Sequence, residues 1–384
     1  MLVKSGVLSM PNPSEYPRER LFCLDFIRGL DIIYLTAFIH LCLAVGGVLH
    51  FPNADASWFR HQLTSFMTPD APLDGFNLHD FAQPLFIFIC GAAVPFAIPK
   101  RLSADGRATA AFWKHVLGRF ALLWGCGVLL HNPMSFDLQV CRPFSDTLQT
   151  IALAYLGASL AQLIRQHWMR LVVAFAAIAA VGAVHAFGGD YTCLGNIARR
   201  IDIRVFTSWG CKSGNFCYIL TIPVWLTMGV FGAEAGEILK SRASEWVKAR
   251  KLAVWGVALL VLGCVLRYAF GIPFIRHMYT ASFTFATLGL AFLSVDTAFV
   301  LTDVWNVRRG TGLLLLFGQN SLAAWMISHF FGGEIYDFSV RFTKGLPRLL
   351  GTEACQPLFI SAVYAITVIG AVLVWSHAKS GGRK

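Results

Sequence analysis

FNLHDFAQPLFIFICGAAVPFAIPK, residues 76–100, sets a polar pair, His79–Asp80, at the mouth of an apolar run from Phe81 to Ile98. That run is long enough to cross a bilayer. Pro84 and Pro95 interrupt it. Inside a helix each proline frees a backbone carbonyl one turn earlier, which neighbouring helices, polar side chains or water must satisfy. A His and an Asp at the mouth of a proline-broken membrane helix point to a polar cavity leading into a bundle. The same residues also read as a helix cap, with Asp80 accepting from first-turn amides and His79 resting at headgroup level. From these residues alone both readings stand.

The rest of the chain repeats that character. Its 384 residues are 56% hydrophobic and 14% charged, with mean hydropathy +0.60, where a soluble globule carries about 25% charged residues. This is the composition of a polytopic, all-α membrane protein with lipids as its surroundings. The 32 Phe and 11 Trp suit lipid-facing and interfacial packing. A net charge of +11 would suggest nucleic acid in a soluble protein. Here the basic residues lie mainly in short loops between apolar segments, so membrane orientation accounts for them and no nucleic-acid partner is expected. There is no zinc-type cysteine pair, glycine-rich phosphate loop or solenoid repeat, and no metal is expected.

Working outward, residues 1–20 form a polar, proline-bearing tail expected to be poorly ordered and cytoplasmic. Leu21–Leu49 reads as a retained first helix, too long for a signal peptide. Phe81–Ile98, Trp113–Leu130, Thr147–Ile164, Leu171–Phe187, Tyr218–Leu239, Leu252–Phe270, Met278–Leu301, Leu313–Phe331 and Pro357–Trp375 follow. That predicts about ten transmembrane helices in a single domain over residues 21–376, with a short cytoplasmic tail at 377–384. Twenty Lys and Arg fall on one set of alternate loops and eleven on the other. The richer side should be cytoplasmic, with both termini on it, in the cell's inner (plasma) membrane. Cys141, Cys193, Cys211, Cys217 and Cys355 would then face outward, where disulfides form readily. Cys23, Cys42, Cys90, Cys126 and Cys264 would be ordinary buried thiols.

The same topology gathers His61, Asp70, Asp74, His79 and Asp80 on the outer face. LDFIRGLD places Asp25, Arg28 and Asp31 at three-residue spacing on one face of the first helix, toward the cytoplasmic side. Charges at that depth face a bundle and pair with one another, as a structural salt bridge or as part of a ligand site. Asn320 and His329 are further intramembrane polar residues. Glu234 and Glu237 close the sixth segment beside Lys240 and read as a solvated helix end.

At this point several motifs resemble one family. LDFIRGLDI looks like the opening LDxxRG signature of the heparan-alpha-glucosaminide N-acetyltransferase family and its bacterial transmembrane acyltransferase members. DGFNLHDFAQPLFIFICGAAVPFAI is similar to the family's W-x-G-x-x-x-x-D and P-x-F-x-F-x-x-G runs, and RPFSDTLQTIALAYL to its LQ-x-IA-x-x-YL segment. DYTCLGNIARRID, IPVWLTMGVFGAEAGEIL, YTASFTFATLGLAFL and FGQNSLAAWMIS continue in the family's order. The resemblance covers nearly the whole chain. It implies a helix bundle that takes acetyl-CoA or another acyl-CoA from the cytoplasm and passes the acyl group to an outward-facing sugar or small-molecule hydroxyl or amine. The family's histidine, counted back without gaps from Asp80, falls on Asp70; its tryptophan falls on Leu73, its glycine on Gly75, and an arginine common after the LQ pair on Thr150.

The sequence thus leads to an acyl-CoA-dependent membrane acyltransferase. His79 would be the general base, oriented by Asp80, with Asp70 as the alternative base. An imidazole has an ordinary pKa of about 6.5, which suits proton transfer near neutrality. Arg28, paired with Asp25 or Asp31, would lie on the CoA path, with Arg142 and Asn320 as further polar contacts. A second copy of the chain is a candidate partner. The rival readings are a permease without acyl chemistry and a non-catalytic family member. A permease of this size often carries inverted repeats, and none is visible.

Overall fold

The computed structural model describes residues 21–48, 62, 74–131, 147–192, 195–206, 218–346 and 355–381. Among them all regular structure is helical, save one isolated antiparallel bridge between Leu102 and Ala108. Among the described residues, seven helical stretches are long and apolar enough to cross a membrane: Phe22–Val45, Leu78–Ala97, His167–Gly188, Ile219–Lys240, Glu245–Tyr268, Ala281–Val304 and Gln356–Lys379. The other three expected segments are helical but differ in kind. Ala110–His131 carries Lys114, His115 and Arg119 in its first half, and Thr147–Ala161 is apolar but short. Leu313–Phe331 is divided at Asn320 into Gly312–Gln319 and Ser321–Phe330. Asp70, Arg142, His61 and Cys141, Cys193, Cys211 and Cys217 lie outside the described residues. Cys23, Cys42, Cys90, Cys126, Cys264 and Cys355 are free thiols.

The chain divides into two compact units, residues 1–65 with 298–384, and residues 66–297. In the first, α1 (Phe22–Ile33) passes through a π-helical turn, Tyr34–Phe38, into α2 (Ile39–Val48). α12 (Gly312–Gln319) lies directly on α1, because two glycines let the backbones meet. A Cβ on Gly29 would collide with the Leu314 carbonyl, and one on Gly318 with that of Asp25. α13 (Ser321–Phe330), α14 (Gly332–Thr343) and α15 (Gln356–Gly381) complete the unit. α15 runs on through residues 377–381, which the sequence reading gave to the tail.

The second unit contains α3 (Leu78–Ala92), the short α4 (Val94–Ala97), α5 (Ala110–His131), α6 (Thr147–Ala161), α7 (His167–Gly188) and α8 (Ile197–Phe206). It continues with α9 (Tyr218–Lys240), α10 (Glu245–Tyr268) and most of α11 (Ala281–Phe299). α3 ends at Ala92 because Pro95 cannot supply the next ladder N–H, and Ala93 closes it as a turn. α9 is the hub. Its Gly229, Gly232 and Gly236 form a ridge with no side chains, facing the backbones of Ala154, Phe88 and Ala92. Gly91 and Gly157 answer from α3 and α6 against Gly229 and Leu226. Small residues at membrane helix contacts allow this close approach, where dispersion between backbones drives association. Phe88 and Phe292, with ring centroids 4.8 Å apart, fill the space beside the ridge.

Candidate site at the start of α3

The first turn of α3 is built by a capping box: Asn77 accepts from the backbone at position 80, and Asp80 Oδ2 accepts the Asn77 N–H at 3.2 Å. The capping reading of Asp80 is therefore met, and Asp80 is a buried acid as well. Its other oxygen, Oδ1, accepts from Arg276 Nη1 at 3.2 Å, across 196 positions of chain. Asp80 is 7% exposed at its side chain and Arg276 21%, so the pair is largely removed from water. Among the described residues, Asp80 thus bonds Asn77 and Arg276. His79 sits beside that pair, in the field of both charges. Pro84, one turn further on, removes the N–H that would have bonded the Asp80 carbonyl.

The last turn of α10 and the segment between α10 and α11 supply the rest of the site. Arg267 Nη2 meets Asp74 Oδ2 at 2.5 Å, and the Phe274 N–H donates to Asp74 Oδ1 at 2.9 Å. Gly75 N–H donates to the Phe274 carbonyl at 2.9 Å. His277 follows Arg276, and burial, aided by the neighbouring guanidinium, pulls its imidazole down to about 4. Tyr279 is buried with φ 46°. A positive φ on a bulky side chain is held only where its surroundings over-determine it. Here Trp225 of α9 packs edge-on against the Tyr279 ring at 5.8 Å, Phe283 does so at 5.7 Å, and the Tyr279 carbonyl accepts from Thr284. Arg276 and His277 were not singled out in the sequence; the only signal is a basic pair standing just before an apolar segment.

A second polar contact lies between α3 and α6. Gln83 Nε2 donates to Thr150 Oγ1 at 3.2 Å, and Thr150 donates back to the Thr147 carbonyl. Thr150 occupies the position where the resembled family often has arginine. At the other end of α9, His167 meets Glu234 at 2.8 Å, Arg170 lies 3.7 Å from Glu237, and Lys240 donates to the Pro95 carbonyl at 2.7 Å. Glu234 is buried, so the expected solvated helix end is instead a tertiary ion-pair cluster at that residue. Nearby on the chain, Asp105, Gly106, Arg107, Ala108, Leu163 and Arg165 line an open cleft of about 570 Å³.

In the first unit, Arg28 Nη1 pairs with Asp25 Oδ1 at 2.8 Å. Asp31 is buried, and its Oδ2 has no hydrogen-bond partner among the described residues. Arg308 repeats the theme: it pairs with Asp303 and stacks its guanidinium over Phe22, 4.7 Å from the ring centre. Asn320 uses its amide nitrogen on the Leu316 carbonyl at 3.0 Å, which caps the broken end of α12. His329 stacks on Trp325 one turn earlier. No group of three or more His, Cys, Asp or Glu among the described residues is placed to hold a metal ion. No protein-family model matches the chain, and a search of curated proteins finds no match either.

Proposed function

We propose that this chain is an integral-membrane acyltransferase of about ten helices, with both termini in the cytoplasm of a cell whose inner membrane it spans. It takes an acetyl or other acyl group from cytoplasmic acyl-CoA and gives it to an extracytoplasmic glycan or small-molecule hydroxyl or amine. The observation that carries this reading is the buried Asp80, paired with the half-buried Arg276, at the first turn of a membrane-length helix that begins with His79 beside it. An ionisable group held at such depth marks function more often than packing. The motif resemblance to the heparan-alpha-glucosaminide N-acetyltransferase family supplies the reaction class.

The chemistry needs one base. The acceptor oxygen or nitrogen attacks the thioester carbon while His79 takes the acceptor's proton. The C–S bond then breaks, CoA leaves as a thiolate, and the imidazolium returns the proton to it. Asp70 is the alternative base. The anionic CoA is drawn by basic loops such as those bearing Arg107, Arg165 and Arg170, and Arg28, Arg142 and Asn320 are candidate contacts on its path. Gln83 donates to Thr150, the residue that stands where the resembled family often has arginine.

The test is acetyl-CoA binding to purified protein in detergent, followed by acyl transfer to a panel of amino sugars and polyols. His79→Ala should lower transfer by about 100- to 10,000-fold with CoA affinity intact, and Asp70→Ala far less. A protein that binds no acyl-CoA would be a permease or a non-catalytic bundle. Normal turnover in His79→Ala with none in Asp70→Ala would move the base to Asp70.

A further inference from the structure

α5 and α6 pack side by side and run in opposite directions. Arg119 of α5 lays its guanidinium over the Tyr155 ring of α6, 4.8 Å from the centre. Arg165, just past α6, donates through Nε at 3.1 Å to the carbonyl of Asp105, just before α5. One turn back along α5 from Arg119 stands His115, and one turn on along α6 from Tyr155 stands Ser159. Gln162 follows on the same α6 face at three-residue spacing, whereas Ala154 and Gly157, which meet α9, lie on another. Tyr155, Ser159 and Gln162 are each 7% exposed or less. Their hydroxyls and the Gln162 Nε2 have no hydrogen-bond partner among the described residues, nor has His115 Nε2. The Tyr155 and Ser159 hydroxyls come near each other without closing a bond. Buried polar groups are rarely left so. Four between one pair of helices, all able to donate, mark the place of a shared acceptor.

The local charge says what that acceptor is. Over residues 98–131 and 147–166 the single acid is Asp105, against Lys100, Arg101, Arg107, Lys114, Arg119 and Arg165. An anion suits them, and phosphate oxygens accept from a guanidinium and from hydroxyls together. The surface leading away from Arg119 says what carries the phosphate. Leu122 and Leu129 follow Arg119 on one strip of α5 and are 57% and 49% exposed. From Arg119 to Leu129 the strip is about 15 Å long, half of the ~30 Å hydrocarbon core of a bilayer. Exposed Trp113 and Trp168, near the starts of α5 and α7, mark the headgroup level at this end, which the long Arg119 stem can reach. We propose that the groove between α5 and α6 binds an anionic phospholipid, its phosphate on Arg119, His115, Tyr155 and Ser159 and an acyl chain along Leu122 and Leu129. Basic pockets between membrane helices take acidic headgroups in this way. The site does not depend on the acyl-transfer reading.

Native mass spectrometry of the full-length protein in detergent tests this, with dioleoylphosphatidylglycerol and dioleoylphosphatidylcholine titrated separately. Wild type should hold one phosphatidylglycerol about 10- to 100-fold more tightly than phosphatidylcholine, the worth of a charged hydrogen bond. Arg119→Gln should bring phosphatidylglycerol down to the level of phosphatidylcholine. Tyr155→Phe should weaken phosphatidylglycerol about 2- to 10-fold and leave phosphatidylcholine alone. Arg119→Lys keeps the charge without the planar fork and should retain part of the preference. Equal retention of the two lipids by wild type overturns the site. So does phosphatidylglycerol bound as tightly in Arg119→Gln as in wild type, which would make it annular lipid only. If Arg119→Gln does not fold, an unchanged phosphatidylglycerol affinity in Tyr155→Phe overturns the site equally. An acetyl-CoA arm separates the two sources of phosphate. Excess acetyl-CoA should leave phosphatidylglycerol bound. Displacement of the lipid by acetyl-CoA, with acetyl-CoA binding lost in Arg119→Gln, would give the groove to the acyl donor and overturn its assignment to lipid.

Discussion

Gly229→Ala is the most informative single change to the scaffold. A Cβ built there would fall inside the Ala154 carbonyl, 2.6 Å from its carbon and 2.9 Å from its Cα. Ordinary contact begins near 3.4 Å, and the obstacle is backbone, which has no rotamer to escape into. α6 and α9 must therefore separate locally by about 1 Å, and gaps of that size forfeit roughly a quarter to a half of each dispersion contact. Overpacking costs about 1–3 kcal/mol, and a backbone obstacle places this site near the upper figure. At about 2–4 °C per kcal/mol for a unit of this size, the melting temperature should fall by roughly 6–12 °C. Gly118→Ala is the control, since nothing lies within 4 Å of its Cβ position. On α5 that change should be neutral or stabilise by about 0.5–1 kcal/mol through helix propensity. Thermal melts of purified protein, followed by size-exclusion chromatography, compare the two directly. Equal melting temperatures would refute the close approach of α6 and α9. Loss of activity without loss of stability in Gly229→Ala would mean that α9 sets the pose of α3 and its His79, and not only the packing.

Arg28→Ala should destabilise the protein by about 1–3 kcal/mol, because it takes a charged hydrogen-bond partner from the largely buried Asp25 carboxylate, and Arg28→Lys should recover most of it; a melt unchanged from wild type for the alanine variant would remove the ion pair as a structural element. His277 gives a pH dependence of definite sign. Folded, it binds its proton more weakly than the ordinary 6.5 of the unfolded chain, at about 4. Its contribution is complete above pH 6.5 and is lost as pH falls toward 4, by up to about 3 kcal/mol. His277→Gln should flatten that part of the stability profile, measured by chemical denaturation at stepped pH, and an unchanged profile would show that burial of His277 carries no such linkage.

How much of this was legible in the sequence depends on how far apart the deciding residues lie. Apolar runs and proline positions are local, so the helices and the break after Ala92 could be read directly. The division at Asn320 could not, because Gly312–Gln319 and Ser321–Phe330 form one unbroken apolar run in sequence and separate only where Asn320 turns its amide onto Leu316. Arg28 illustrates the limit of spacing alone. Asp25 and Asp31 lie three residues away on either side, and only the structure shows that the arginine pairs with Asp25, while an oxygen of Asp31 has no partner among the described residues. Glu234 was misjudged for a similar reason. Its neighbours in sequence are Glu237 and Lys240, whereas its partner, His167, stands 67 positions earlier.

The candidate site divides along the same line. His79 and Asp80 announce themselves by standing at the mouth of an apolar run, but the residue that completes them comes from 196 positions away. Nothing local distinguishes Arg276 from the other basic residues that orient a membrane protein. What distinguishes it is burial against a carboxylate, and burial is a property of the fold. The pairing also changes what Asp80 can do. A carboxylate engaged by a capping amide and a guanidinium is held in one place. It ties the first turn of α3 to the segment before α11. On the acyl-transfer reading, the base is to be sought first at His79, the imidazole next to that fixed pair in sequence.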